Sequence, residues 1–378
     1  MKIKNIYLDN HSSTPLDKRV YNEMKPFFES KFGNPHSESH SHGWIANKFI
    51  DLSREQIAKA INSKKEEIFF TSGATESNNL ILKGLAFSQK KKNHLITSVI
   101  EHKCILESCK FLEKIGFKIT YLKVNKYGEI DLEELKKAIN SKTFLVTIMS
   151  VNNEIGNIYP LKEIGKICKE KNIFFHSDAS QALGRINFDI KYLGLDFASF
   201  SSHKIYGPQG IGCLFIKKIK NIKLVPLLSG GGQENGLRSG TLPTALCVGF
   251  GHATKLIVKE RIKVNHKIKK LKNTFLKILN KNKINYILNG KNTVDNNINI
   301  TFLNSKSGFI FSKLNDISVS SGSACGSGSG ESSYVLKEIG LNKEKSESTL
   351  RIGIGKDNTE KEIIYCATKI SKILNQSK

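Results

Sequence analysis

Residues 67–87 read "EIFFTSGATESNNLILKGLAF": a short apolar run, a Ser-Gly step, then apolar residues three and four apart. The first part suits a buried strand and the second an amphipathic helix. The alternation continues downstream. "HLITSV" (94–99) precedes "HKCILESCKFLEKIG" (102–116), "KITYLKV" (118–124) precedes "DLEELKKAI" (131–139), and "TFLVTIMSV" (143–151) precedes "LKEIGKICKEK" (161–171). "NIFFHSDA" (172–179), "FASFSSH" (197–203) and "GCLFIKK" (212–218) bring the strands to seven. Strands that are apolar throughout and separated by helices predict a mostly parallel sheet covered on both faces, so the fold class is α/β.

Near residue 243 the pattern changes to a long lysine-studded helical stretch running to residue 282. Beyond it, strand-like "INYILNG", "NINITFL", "ISVSSG" and "LRIGIG" interleave with helical "SYVLKEIGL" and "EKEIIYCATKISKIL", as in a small α+β domain. The expected organisation is an N-terminal segment (1–15) packing with the small domain, a large α/β domain (16–250) and the small domain (251–378), which contains a Gly/Ser loop near 320–333.

A chain of 378 residues is long enough for two cores. Its net charge of +25 could indicate a nucleic-acid partner, but the lysines recur singly on what read as solvated helix faces, so no specific nucleic-acid binding is expected. No run of about 18 apolar residues is present, which argues against a transmembrane helix. The N-terminus lacks a signal-peptide pattern, and a cytoplasmic location is expected. Seven cysteines without a CxxC pair suit neither a disulfide framework nor a zinc site, and no resident metal is expected. Cys104, Cys109, Cys168, Cys213 and Cys366 read as core residues.

Reactive groups of such sheets collect at the carboxyl ends of the strands. There, "SGAT" with Thr75 opens a helix whose N–H groups can hold an anion. His102 follows one strand, Asp178 and Gln181 end another, and "SSHK" places Ser201, His203 and Lys204 after a third. Each has a plain alternative: a helix cap, a structural histidine or an exposed turn lysine. Together, a phosphate cradle, a carboxylate and a lysine amine are the parts that a pyridoxal 5′-phosphate site needs. Cys325, in "SSGSACGSGSGESS" (320–333), stands among residues too small to bury it, in a composition expected to be flexible and solvated.

From end to end the chain resembles the cysteine desulfurases. The resemblance rests on "YLDNHSSTP" (7–15), "FGNPHSESHSHGW" (32–44), "TSGATESNN" (71–79), "EHK" (101–103), "VNNEIG" (151–156), "HSDASQALG" (176–184), "SSHKIYGPQGIG" (201–212), "RSGTLP" (238–243), "SSGSAC" (320–325) and "LRIGIG" (350–355). It implies the fold type I of pyridoxal-phosphate-dependent transferases. It also implies that Lys204 holds the cofactor as a Schiff base, Asp178 pairs with its ring nitrogen and His102 stacks on the ring. Asn153 and Gln181 would contact the ring hydroxyl, and Ala74, Thr75, Ser201 and His203 the phosphate. Thr241 would reach the phosphate of the other subunit in a homodimer, while Arg351, assisted by Asn34, would clamp the carboxylate of L-cysteine. Cys325 would take the sulfur as a persulfide, with His102 as its proton acceptor, and pass it to an iron–sulfur scaffold or to tRNA thiolation, transiently meeting a cluster on its partner.

The sequence departs from the family's usual pattern at "GSGSGESS" after Cys325, at "KSGFIF" (306–311), at Asn235 and at Ser150. Alternative readings of the same residues are a selenocysteine lyase, an aminotransferase, and an RNA-binding or scaffold protein on a decayed enzyme fold.

Overall fold

The computed structural model describes residues 5–218, 223–303, 309–321 and 333–376. The short strand β1 (Ile6–Tyr7) stands apart from the main sheet, which comprises β2 (Ile68–Thr71), β3 (His94–Ser98), β4 (Lys118–Leu122), β5 (Thr143–Thr147), β6 (Phe174–Asp178), β7 (Phe197–Ser201) and β8 (Gly212–Ile216). Its order is β2-β8-β7-β6-β5-β3-β4. Only β8 runs against its neighbours, so the other six strands end on one edge. The mostly parallel seven-stranded sheet expected from the apolar runs is present.

Alternate side chains divide between the two faces. Phe70, Ile96, Val146, Phe175, Phe200 and Phe215 enter one core, while Phe69, Leu95, Leu145, Phe197 and Leu214 enter another with the helices Ala74–Ser88 and Lys103–Lys114. Covering both faces explains why these strands are apolar at consecutive positions rather than every second one.

A separate core lies beyond the sheet. β10 (Asn297–Phe302) is flanked antiparallel by β9 (Tyr286–Leu288) and β12 (Thr349–Gly353). The helix Glu360–Asn375 packs on them through Ile363, Cys366, Ala367 and Ile370. Ile6 and Leu8 join this core, and β1 pairs in parallel with β11 (Ile317–Ser318). The two bodies share one unbroken helix, Thr244–Lys281: Cys247, Phe250, Ala253 and Ile257 belong to the large core, and Ile268, Leu271, Phe275 and Leu279 to the small one. The 250/251 boundary drawn from sequence falls inside this helix. Past it, Val335, Leu336 and Ile339 return to the large core. No described helix is long and apolar enough to cross a membrane.

Candidate active site

At the edge where the six strands end is a cleft of about 510 Å³, lined by Ala74, Thr75, His102, Asn153, Asp178, Gln181, Ser201, His203, Lys204 and Arg351. Ten of the residues singled out from sequence thus meet in one place. Asn34 and Thr241 are exposed and do not line it; Asn34 accepts the His36 N–H at 3.0 Å through its side-chain oxygen. Cys325 lies outside the described residues. A larger open cavity of about 750 Å³, with Lys123, Glu129, Asp131 and Lys291 in its wall, holds none of these groups.

One wall follows from a glycine. Gly73, at φ 155° and ψ 178°, occupies backbone space essentially reserved for glycine, and there the chain turns from β2 into the helix Ala74–Ser88. Gly212 is equally constrained, since a Cβ there would fall 2.6 Å from the Gly73 Cα and 2.4 Å from the Phe200 carbonyl oxygen. The tight approach leaves the unpaired N–H groups of a 15-residue helix facing the cleft beside Ser201.

The floor carries the charged groups. Lys204, in the single turn Ser202–Lys204 after β7, donates from Nζ to the carbonyl oxygens of His11 (2.9 Å) and Ser12 (2.6 Å). Burial, then the Arg185 and Arg351 guanidiniums, lower its amine from 10.5 to about 8. Arg185 donates to the Lys204 carbonyl oxygen at 3.5 Å, directly behind it. Asp178 ends β6 and is buried; one oxygen accepts from Asn78 at 2.8 Å, the other from the Ser180 N–H at 3.0 Å and hydroxyl at 2.6 Å. Arg351, 2% exposed, donates to Asp9 (2.8 Å), the Ser12 hydroxyl (2.7 Å) and the Asn153 carbonyl (3.0 Å).

Two histidines complete the lining. His102 caps the helix Lys103–Lys114, accepting the Cys104 N–H on Nδ1 at 3.2 Å. Burial and the cations Lys204 and Lys103 lower its pKa against the pull of Asp178, which favours the neutral imidazole. His203 is lowered to about 4, by burial first and then by Lys204 and Arg185, and meets the Ser13 hydroxyl at 3.2 Å.

Sequence reasoning missed several contributors. Cys104, read as a core residue, is only half-buried and lines the cleft, its Sγ 3.0 Å from His102 Nδ1. It sits in the first helical turn, directly beyond the strand edge, where it packs against the core and also reaches the cleft. Burial pushes its thiol up to about 12, so it is protonated at neutral pH. His11 and Ser12 act through carbonyl oxygens, which leave no mark in a sequence. Arg185, one residue past "HSDASQALG", carried no signal of its own.

The vacant hydrogen-bonding capacity suits a polar heteroaromatic phosphate ester. The side-chain oxygens of Asn153 and Gln181 are buried without a partner among the described residues, as is Arg351 Nε. Buried polar atoms left unpaired are costly, and a ring hydroxyl and a carboxylate are groups that would satisfy them. With the anion cradle, the Asp178 carboxylate and the Lys204 amine, this donor set fits pyridoxal 5′-phosphate.

The Aminotransferase class-V family matches residues 6–365. The chain is 49% identical over 374 residues to the cysteine desulfurase IscS of Rickettsia bellii (strain OSU 85-389), covering 98% of this chain and 91% of that protein. A solved NifS-like protein superposes with a TM-score of 0.91 at 37% identity, over 98% of this chain and all of that one. SspA in complex with cysteine gives 0.84 at 40% identity, over 94% of this chain and all of the other.

Proposed function

The chain belongs to the aminotransferase class-V family, and we propose that it is a pyridoxal 5′-phosphate-dependent cysteine desulfurase, converting L-cysteine to L-alanine and passing on the sulfur for iron–sulfur cluster assembly. The observation that carries the reading is the meeting of Lys204, Asp178 and Arg351 in one cleft of a chain that also has Cys325.

When bound, the cofactor supplies an electron sink for negative charge developing at the cysteine Cα. The protein's own groups do the rest. Arg351 holds the substrate carboxylate through a planar guanidinium already oriented by Asp9, Ser12 and Asn153. Lys204 would hold the cofactor and, as the free amine, would remove the substrate's Cα proton; an amine lowered to about 8 is about one-tenth free base at pH 7 and about half at pH 8. Asp178 keeps the ring nitrogen protonated, and Ala74, Thr75, Ser201 and His203 hold the phosphate. The Cys325 thiolate attacks the substrate sulfur; the new S–S bond forms as the C–S bond breaks, and protonation at Cβ with return of a proton to Cα from Lys204 completes alanine. Neutral His102 takes the thiol proton.

The reading extends to a homodimer in which Thr241 reaches the neighbouring subunit's cofactor. It is supported by the exposure of Thr241 and of the large apolar side chains Tyr21, Phe28, Phe32 and Trp44. Cytoplasmic residence accords with the free state of all six described cysteines. Delivery to tRNA thiolation is a second outlet for the same persulfide.

The test is to record the visible spectrum, add L-cysteine, and follow alanine together with protein-bound persulfide in wild type and Cys325→Ser. Alanine formation, with a persulfide that the variant lacks, supports the reading. A protein that takes up no pyridoxal phosphate, or a variant that releases sulfide at full rate, contradicts it.

A further inference from the structure

His102 and Cys104 stand two residues apart at the start of the helix Lys103–Lys114, and their contacts fix which atom holds each hydrogen. The Asn78 side-chain amide donates to Asp178 at 2.8 Å and to the Cys104 Sγ at 3.2 Å. The Thr75 hydroxyl lies beside the same sulfur as a second donor. With its lone pairs engaged, the thiol has its own hydrogen left to give, and His102 Nδ1 is 3.0 Å away. That nitrogen already accepts the Cys104 N–H at 3.2 Å. A ring nitrogen that accepts is unprotonated, and a neutral imidazole carries one N–H, so the hydrogen of the neutral ring is on Nε2. A continuous chain of hydrogen bonds thus runs from Asp178 through Asn78 and Cys104 to His102.

We propose that Cys104 is a positioning residue: its thiol hydrogen, aimed at Nδ1, holds His102 in the Nε2-protonated tautomer and opposes uptake of a second proton. The part that His102 plays in turnover rests on the desulfurase reading above; the tautomer does not. A proton taken up by the neutral ring goes to Nδ1, and there it displaces both the N–H and the S–H of Cys104. Each of these donors therefore stabilises the neutral ring. A thiol suits the task because burial, by pushing its pKa up to about 12, keeps it protonated across the working range, so the donor is not lost. Charged groups act on the ring as well: Asp178 from β6 favours the imidazolium, while Lys204 after β7 and Lys103 on the same helix oppose it. Glu101, the preceding residue, turns one carboxyl oxygen to the Ser98 hydroxyl at 3.0 Å and the Met149 N–H at 2.9 Å.

The experiment is nitrogen NMR across pH on the pyridoxal-phosphate-loaded protein with isotope-labelled histidines, together with the pH profile of alanine formation from L-cysteine. Wild type is expected to show His102 with a bare Nδ1 and a protonated Nε2, its signals identified by their loss in His102→Gln. Cys104→Ala removes the thiol donor and is expected to move the His102 titration upward by about half a pH unit, equivalent to ~0.7 kcal/mol, as suits a weak S–H donor. Cys104→Ser, whose hydroxyl still donates, should reverse most of that shift. The acid limb of alanine formation, where His102 must be neutral, should move with the titration. A wild-type Nδ1 that carries the hydrogen overturns the proposal. So does a titration that Cys104→Ala leaves in place, even if alanine forms more slowly, because slowing alone is what a loss of packing would produce. A wild type that titrates as expected and forms no alanine supports the tautomer and refutes the desulfurase reading.

Discussion

Uptake of pyridoxal phosphate by the cofactor-free protein should follow the titration of Lys204. Only the free base of an amine attacks an aldehyde, and burial beside Arg185 and Arg351 brings this amine to about 8. Its free-base fraction is then about a tenth at pH 7 and about nine-tenths at pH 9, so the rate rises about tenfold over these two units and flattens above. An ordinary lysine near 10.4 instead gains about tenfold per pH unit, with no plateau before pH 10. Stopped-flow absorbance on mixing the apo-protein with the cofactor measures this directly. N-acetyl-lysine serves as the reference for titrations of the cofactor itself, and Lys204→Ala as the blank. Arg185→Gln, which removes the second-largest contribution to the shift, should move the midpoint upward. A rate still climbing tenfold per unit at pH 10 would refute the argument that the site supplies an activated amine.

Two further perturbations test the clamp and the scaffold. Arg351→Lys keeps the charge but loses the fork that reaches Asp9, Ser12 and Asn153 together; the KM for L-cysteine should rise at least about tenfold in steady-state assays, with a smaller change in kcat. Glu234→Ala strips the buried partner from Arg54, which also donates to the Ile68 carbonyl at the start of β2, and should cost about 3–5 kcal/mol in urea unfolding.

The large domain was legible because its strands are buried on both faces. Each reads as a compact apolar run, and the first four are each followed by a helix of seven residues or more. The carboxyl-edge rule then located Lys204, Asp178 and His102 without any contact information. β1 and β11 were harder: each is two residues long, and they pair across more than 300 residues, a register that no local period encodes. "ISVSSG" was readable as a strand, but nothing in it names Ile6–Tyr7 as its partner. Cys104 packs against the core as read, but its place in the cleft was not legible, because the three-and-four spacing that buries Ile105, Ser108, Cys109 and Leu112 marks only which side of the helix faces the core. It is silent on which end of the helix opens into the cleft. The carbonyl acceptors of Lys204 belong to "HSS", where the side chains carry the sequence signal and the backbone makes the contacts.

The helix Thr244–Lys281 has a consequence for how such a protein can be inherited. At 1.5 Å per residue its 38 residues span about 57 Å, and its two halves supply walls to different cores. A recombination crossover near residue 250 would put one lineage's Ala253, Ile257, Val335, Leu336 and Ile339 into the other's large core, and the other's Ile6 and Leu8 into the small one, so both cores would meet foreign residues in the same event. The two bodies therefore cannot be shuffled between lineages as exchangeable modules, and selection acts on them as one piece.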